Sequence, residues 1–490
     1  MRASRGLGTL CVLLAVAACG DDTAAGDTEE TEGIVLTGDE TAADGTGQTF
    51  DVGAGSATDG PDCAEGLGGC TDQIDLLFII DNSGSMSEEQ LNLALNMPKL
   101  VSALENLTDD EGVPVDPDVH IMVTTSDSGN VLCEPFYPPG RSAENGAPIS
   151  SACTDRIDRF TGLGPMPTDA QEACTTVCPT PLAPDGDFIE FSSSGNNVPD
   201  VAPVDIDGDG IDDSAVAQTL SCVGPQGIDG CGYESPLEAM REALDPAAEW
   251  NQGSNGFLRD GGLLAVAIIT DEADCSVVDE TVMMDTSVQE VHPDKGVPVA
   301  TSALCWNAGV TCEGPDGDGV YGSCTSTGDR LRPVQEYVEF LQDQNHRVVM
   351  LGIVGIPPVT ARNPDPPFQP TEGGIFDLVY RDWQDPDFPN GGDILPDEWD
   401  QGFDAAFKQY QFGIGPGCTG EDGAGGFTGQ AIPPVRVREV CEALDVADDP
   451  DTFDDETEIR CCMESICDTD FSPALQCLTG LIQQTVIPTK

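Results

Sequence analysis

Four stretches of the chain are almost continuously apolar: residues 74–80 (IDLLFII), 119–125 (VHIMVTT), 262–269 (GLLAVAII) and 347–354 (RVVMLGIV). Strands buried on both faces, as in parallel sheets, have this pattern. Between and after them the apolar spacing becomes helical. Leu91, Leu95, Leu100 and Leu104 predict a helix over about 86–107, with Pro98 as a kink or break. Ser235-Pro236-Leu237-Glu238 reads as a capping box opening a helix with Leu237, Met240 and Leu244 on one side. A further helix is expected over about 330–345. Another opens at Ser472-Pro473, with Leu475, Leu478, Leu481 and Ile482 on one face. Strands alternating with helices predict an α/β, doubly wound, mostly parallel sheet with helices on both faces. The rest falls in three large insertions, at about 127–232, 272–329 and 356–465, rich in Pro, Gly, Asp and Cys. The last helix reads as a sheet-covering element that closes the fold, so residues 63–490 form one decorated domain.

Charge narrows the functions. The 490 residues include 88 Asp+Glu against 19 Lys+Arg, a formal net charge of −69. A nucleic-acid partner is excluded by expectation, because phosphates need a basic footprint. His120, His292 and His346 are the whole stock of histidine, which argues against a His-rich metal centre.

The N-terminus predicts export. Arg2 and Arg5 precede a short apolar run, residues 7–18, too short to span a bilayer. It ends in Val16-Ala17-Ala18-Cys19, which resembles the bacterial lipobox. The resemblance implies that residues 1–19 are a lipoprotein signal with Cys19 as the lipid attachment point; an ordinary signal peptide with a chance Cys is the alternative. Membrane contact is then through the lipid anchor alone, on the periplasmic or cell-surface side of a bacterial envelope. Residues 20–62 carry 12 acidic and no basic residues and are expected to be a disordered acidic tether. Without Cys11 and Cys19, 18 of the 20 Cys remain, an even number that predicts disulfides in an exported chain. Short-range pairing suggests Cys63–Cys70, Cys222–Cys231 and Cys312–Cys324, while the adjacent Cys461 and Cys462 must pair elsewhere.

The first apolar strand runs directly into Asp81-Asn82-Ser83-Gly84-Ser85. A tight turn lets alternate side chains at 81, 83 and 85 converge, and Mg²⁺ takes hard oxygen ligands in an octahedron. A hydrogen-bonded strand-end turn is the alternative. A strand followed by D-x-S-x-S and a helix resembles the von Willebrand factor A (vWA) domain and its metal-ion-dependent adhesion site. The resemblance implies direct metal binding by Ser83 and Ser85, and a largely water-mediated role for Asp81. Thr270-Asp271, ending another apolar run, matches the family's third motif at Asp271. The second motif normally supplies a Thr; counting back from Ala239 reaches Glu234, a departure that puts a carboxylate in place of a hydroxyl. Alternatively Glu234 only decorates a helix N-terminus, where acids are favoured. The order of motifs at 230–239, 270–275 and 465–472 is also similar to vWA lipoproteins of myxobacteria. The metal implied is Mg²⁺ or Mn²⁺, with Ca²⁺ as a further candidate at the same site.

Asp205-Ile-Asp207-Gly-Asp209-Gly-Ile-Asp-Asp213 fits a calcium loop, with alternate carboxylates and turn glycines. The alternative is a solvated acidic loop. Asp316-Gly-Asp318 is a weaker echo. Gly317 to Gly322 matches GxGxxG only by letter, with no strand before it. Trp306, Trp383 and Trp399 are expected in small satellite cores. HExxH, GxSxG and P-loop motifs are missing, so no enzyme is expected. The expected function is a lipid-anchored binding or adhesion module for a protein or extracellular-matrix ligand. The alternatives are a metal-stabilised structural component of the envelope and an unrecognised enzyme.

Overall fold

The computed structural model describes residues 72–108, 112–162, 169–344, 346–387, 392–421, 426–446 and 458–486. The expected signal, lipid-bearing Cys19, tether and Cys63–Cys70 pair lie outside these residues. A single large sheet organises the chain. Its strands are β1 (Gln73–Ile80), β2 (Asp118–Thr125), β3 (Ile189–Ser192), β4 (Gly195–Asn196), β5 (Leu263–Ile269), β6 (Arg347–Val354) and β7 (Cys461–Ser465). The spatial order is β7-β6-β5-β1-β2-β3-β4. The first five are mutually parallel; β3 and β4 run antiparallel at one edge.

The apolar runs are two-sided because each strand faces helices above and below. Ile74, Leu76, Phe78 and Ile80 pack with α1 (Ser87–Glu105), α2 (Ala215–Val223) and α6 (Ser472–Thr485). Leu77 and Ile79 point the other way, onto α3 (Pro236–Ala243), α4 (Val334–Asp343) and α5 (Val435–Glu442). The fold is thus mixed α/β, with a largely parallel sheet flanked by helices on both faces.

Several local expectations need correction. Helix α1 runs through Pro98 without ending. An interior Pro costs about 3 kcal/mol, but Leu93, Met97, Leu100, Val101 and Leu104 are buried on the sheet, each worth roughly 1.5–3 kcal/mol. The capping box at 235–238 does not form. Ser235 makes no side-chain cap; Asp274 and Ser276, from the loop after β5, accept from the amides of Leu237 and Glu238 instead. Glu238 is drawn away by Arg241, Arg332 and Tyr337. The predicted first insertion contributes β3 and β4 to the sheet, and the third contributes α5 and β7.

Eight disulfides link described residues. Cys312 pairs with Cys324 as expected. The Cys222–Cys231 expectation fails: Cys222 joins Cys178 and Cys231 joins Cys133. Proximity in sequence is overridden because α2 packs Cys222 beside the Cys178 turn in a separate small core. The others are Cys153–Cys174, Cys275–Cys305, Cys418–Cys467, Cys441–Cys461 and Cys462–Cys477. Neighbouring residues of a strand point to opposite faces. Cys461 therefore reaches α5 on one side of the sheet, and Cys462 reaches α6 on the other. Trp306 and Trp383 sit in a satellite core with Tyr380, Ile394 and Ile414, as expected; Trp399 is exposed instead.

Candidate metal centre

The chain leaves β1 toward β2 on one side, and leaves β5 toward β6 on the other. The crevice beyond the carboxyl ends of β1 and β5 is therefore the topological switch point, where open α/β sheets place ligands. Asp81 follows β1 and Thr270-Asp271 follows β5. The amide of Asp81 donates to the carbonyl of Ile269 at 2.9 Å, which zips the two ends together.

Asp81 is fully buried. Its Oδ1 accepts from the Ser83 amide at 2.8 Å, and its Oδ2 accepts from the Thr270 hydroxyl at 2.6 Å. The hydroxyls of Ser83 and Ser85 lie 3.0 Å apart, and Ser85 also hydrogen-bonds to Asp271. Ser83 is buried and Ser85 is exposed. Gln90, on α1, holds the turn from beneath. Its amide donates to the Asp81 carbonyl at 3.0 Å, and its Oε1 accepts from the amides of Gln226 and Gly227, both at 2.8 Å. Gly230 presses on the same turn. Its amide donates to the Asn82 carbonyl at 2.8 Å, and a Cβ there would fall 2.1 Å from Asn82 Oδ1. Only glycine permits that approach.

Glu234 follows directly on the first insertion and is fully buried. Ser126, just beyond β2, donates its hydroxyl to Glu234 Oε2. Among the described residues, no amide, hydroxyl or basic group donates to Glu234 Oε1 or to Asp271 Oδ1, although both side chains meet the Asp81 carboxyl. Glu272, half-buried beside Asp271, is a fourth carboxylate that the sequence reading did not single out.

These acids disturb one another. Burial pushes the Asp81 carboxyl up, while hydrogen bonds from Thr270 and Ser83 pull it back. Burial pushes Glu234 and Asp271 well above the carboxylate range, and the Asp81 charge pushes both further. Glu272 is raised by burial, then by Asp271 and Asp81. No Lys, Arg or His forms an ion pair with any of the four among the described residues. An unpaired buried charge is costly unless it finds a partner or a metal.

The structure thus gathers Asp81, Ser83, Ser85, Asp271 and Glu234 at the ends of β1, β2 and β5, with Thr270 and Ser126 as orienting hydroxyls. The donor set is all oxygen, which fits a hard divalent cation. It is a mixed hydroxyl–carboxylate arrangement rather than a carboxylate cage. Among the described residues, the one group of three acidic, His or Cys ligand atoms within 4.8 Å of one another is Asp205, Asp207 and Asp209.

That second loop lies in the first insertion. Asp205 accepts from the amides of Gly208 and Gly210 at 2.7 and 3.0 Å, and both glycines have positive φ. Asp213 does not join the three. It accepts from the Ile206 amide at 2.7 Å and closes the base of the loop. Asp316 caps the amides of Asp318 and Val320 in a turn.

No family model matches this chain, and no curated protein matches it in sequence. No helix among the described residues is long and apolar enough to cross a membrane.

Proposed function

We propose that this chain is a vWA-like, metal-ion-dependent binding module, exported and held on a bacterial cell envelope by a lipid at Cys19. One observation carries the reading: buried carboxylates at the sheet's switch point have no basic partner among the described residues, and there Glu234 Oε1 and Asp271 Oδ1 receive no hydrogen bond from an amide, hydroxyl or basic group, beside the Ser83 and Ser85 hydroxyls. Mg²⁺ or Mn²⁺ there would be held by Ser83, Ser85, Glu234 and Asp271, with Asp81 anchoring the turn. The metal would supply a Lewis-acidic position for a partner's oxygen; the chain's own role is to hold the ligands in place. A protein or matrix ligand is the expected partner, and catalysis is not part of the reading. Calorimetry with Mn²⁺ on the wild type and Ser83→Ala tests the site. Pull-down from envelope extracts, with Mg²⁺ or EDTA, then tests the binding role. Partner capture that ignores both EDTA and Ser83→Ala would overturn it.

A second reading, calcium binding at Asp205, Asp207 and Asp209, is favoured by the convergence of their carboxylates. It would stiffen the first insertion.

A further inference from the structure

Among the described residues, the loops that carry Glu234 and Asp271 meet one buried cation. Arg436, at the start of α5, is 2 % exposed, and its Nε donates to Asp274 Oδ2 at 2.8 Å. Its Nη2 donates to the Arg332 carbonyl at 2.7 Å. Asp274 is equally buried. Its Oδ1 accepts from the Leu237 amide at 3.2 Å and from the Ser276 hydroxyl at 2.6 Å. Ser276 in turn accepts from the Glu238 amide at 3.0 Å. The helix that begins two residues after Glu234 is therefore capped by a carboxylate three residues after Asp271.

Two backbone bonds close the frame. The Cys275 amide donates to the Glu234 carbonyl at 2.7 Å, and the Ile432 amide donates to the Asp271 carbonyl at 2.7 Å. Residues 432–436 thus grip the Asp271 loop at two points, and that loop grips Glu234. Room for the Arg436 stem is made by Gly309 of the second insertion. A Cβ on Gly309 would lie 2.9 Å from Arg436 Cδ.

We propose that Arg436 is a positioning residue for the metal centre: through Asp274 it sets the separation of Glu234 from Asp271, so the third insertion governs metal affinity. The inference rests on the metal-binding reading above. A buried ion pair adds little net stability over an apolar pair, but breaking one costs heavily. Such a pair is best explained by what it orients. The guanidinium fork satisfies two acceptors at fixed angles, which a lysine ammonium does not reproduce.

The test uses the full chain with Asp205→Asn and Asp209→Asn as the common background, so that Mn²⁺ reports the switch point alone, read by calorimetry and by electron paramagnetic resonance below each variant's unfolding transition. Arg436→Lys and Asp274→Asn are expected to weaken Mn²⁺ about tenfold or more and to change the resonance spectrum of the bound ion. Lys408→Met is the control. Lys408 is a buried cation of the same insertion, paired with Glu398 and stacked on Trp383 and Phe412. Its loss should lower the melting temperature and leave Mn²⁺ affinity within twofold. Wild-type affinity and spectrum in folded Arg436→Lys would overturn the inference while leaving the metal site standing. Should Arg436→Lys not fold, Asp274→Asn decides by the same criterion. No Mn²⁺ binding by the wild type would overturn both readings.

Discussion

Thr270 donates its hydroxyl hydrogen to Asp81 Oδ2 at 2.6 Å, across the gap between two parallel strand ends. Asp81 is buried and has no basic partner among the described residues, so its orientation rests on hydrogen bonds, with this one and the Ser83 amide foremost. Replacing Thr270 by Val keeps the shape and removes the donor. The metal-free protein should lose about 1–3 kcal/mol, the cost of an unsatisfied buried acceptor. Mn²⁺ affinity should fall several-fold, while Thr270→Ser restores both. Thermal unfolding and calorimetry check this; an unchanged Thr270→Val would mean that Asp81 is oriented by other contacts.

Glu234→Gln should separate stability from metal binding. Burial and the Asp81 charge hold the Glu234 carboxyl well above its ordinary value of 4.5. The folded state then binds more protons than the unfolded state above that pH, so metal-free stability falls as pH rises through this window. The amide removes that penalty. Metal-free Glu234→Gln should therefore be more stable than wild type at pH 7 and show a flatter pH profile. It should also bind Mn²⁺ more weakly. Losing stability and affinity together would show that Glu234 serves mainly as a packed strut.

The acidic loop of the first insertion should titrate separately. Asp205→Asn with Asp209→Asn is expected to abolish Ca²⁺ binding there and to leave Mn²⁺ affinity at the switch point within twofold. Sites that share no ligands are additive to this degree. Calorimetric stoichiometry with Ca²⁺, before and after the double substitution, decides it.

His120 predicts an acid-sensitive step away from the metal. It is buried against Phe188 and hydrogen-bonds to the Phe257 carbonyl at 3.1 Å. Burial, reinforced by the nearby Arg259 charge, lowers its pKa from 6.5 to about 4. Between those values the unfolded chain binds the extra proton, so this contribution is complete above pH 6.5 and disappears as pH falls toward 4. At about 1.4 kcal/mol per pH unit, the loss is about 3 kcal/mol. Asp75, 3.8 Å from His120 and raised by burial to about 6, works in the opposite sense between pH 4 and 6, so His120→Gln should shift the slope of stability between pH 6.5 and 4 in urea unfolding by the His120 share; an unchanged slope would assign it to other groups.

The four central strands were legible because burial on both faces leaves little but apolar residues, as in LLAVAII of β5. The sequence CCMES of β7 carries no such mark. It is a short edge strand, and its Glu464 is buried against Arg362, so its polar letters hide an interior position. The cap of α3 was misread for a related reason. Ser235 and Glu238 have the right spacing, but Asp274 and Ser276, close only after folding, compete for the same amides. Asp81, Ser83, Ser85 and Asp271 were visible because they directly follow apolar runs. Ser126 and Glu272 were not, since a hydroxyl or an acid in so polar a chain gains meaning only from its neighbours in space.

The paired cysteines of β7 have one more consequence. Sheet edges are where one molecule can lend a strand to another. Cys461 and Cys462 tie β7 to helices on opposite faces, so lifting the strand away would drag α5 and α6 with it. While both bonds are intact, exchange of this edge between neighbouring copies is blocked by covalent chemistry rather than by charge or sequence. At high local concentration, such molecules stand side by side without trading their outermost strand.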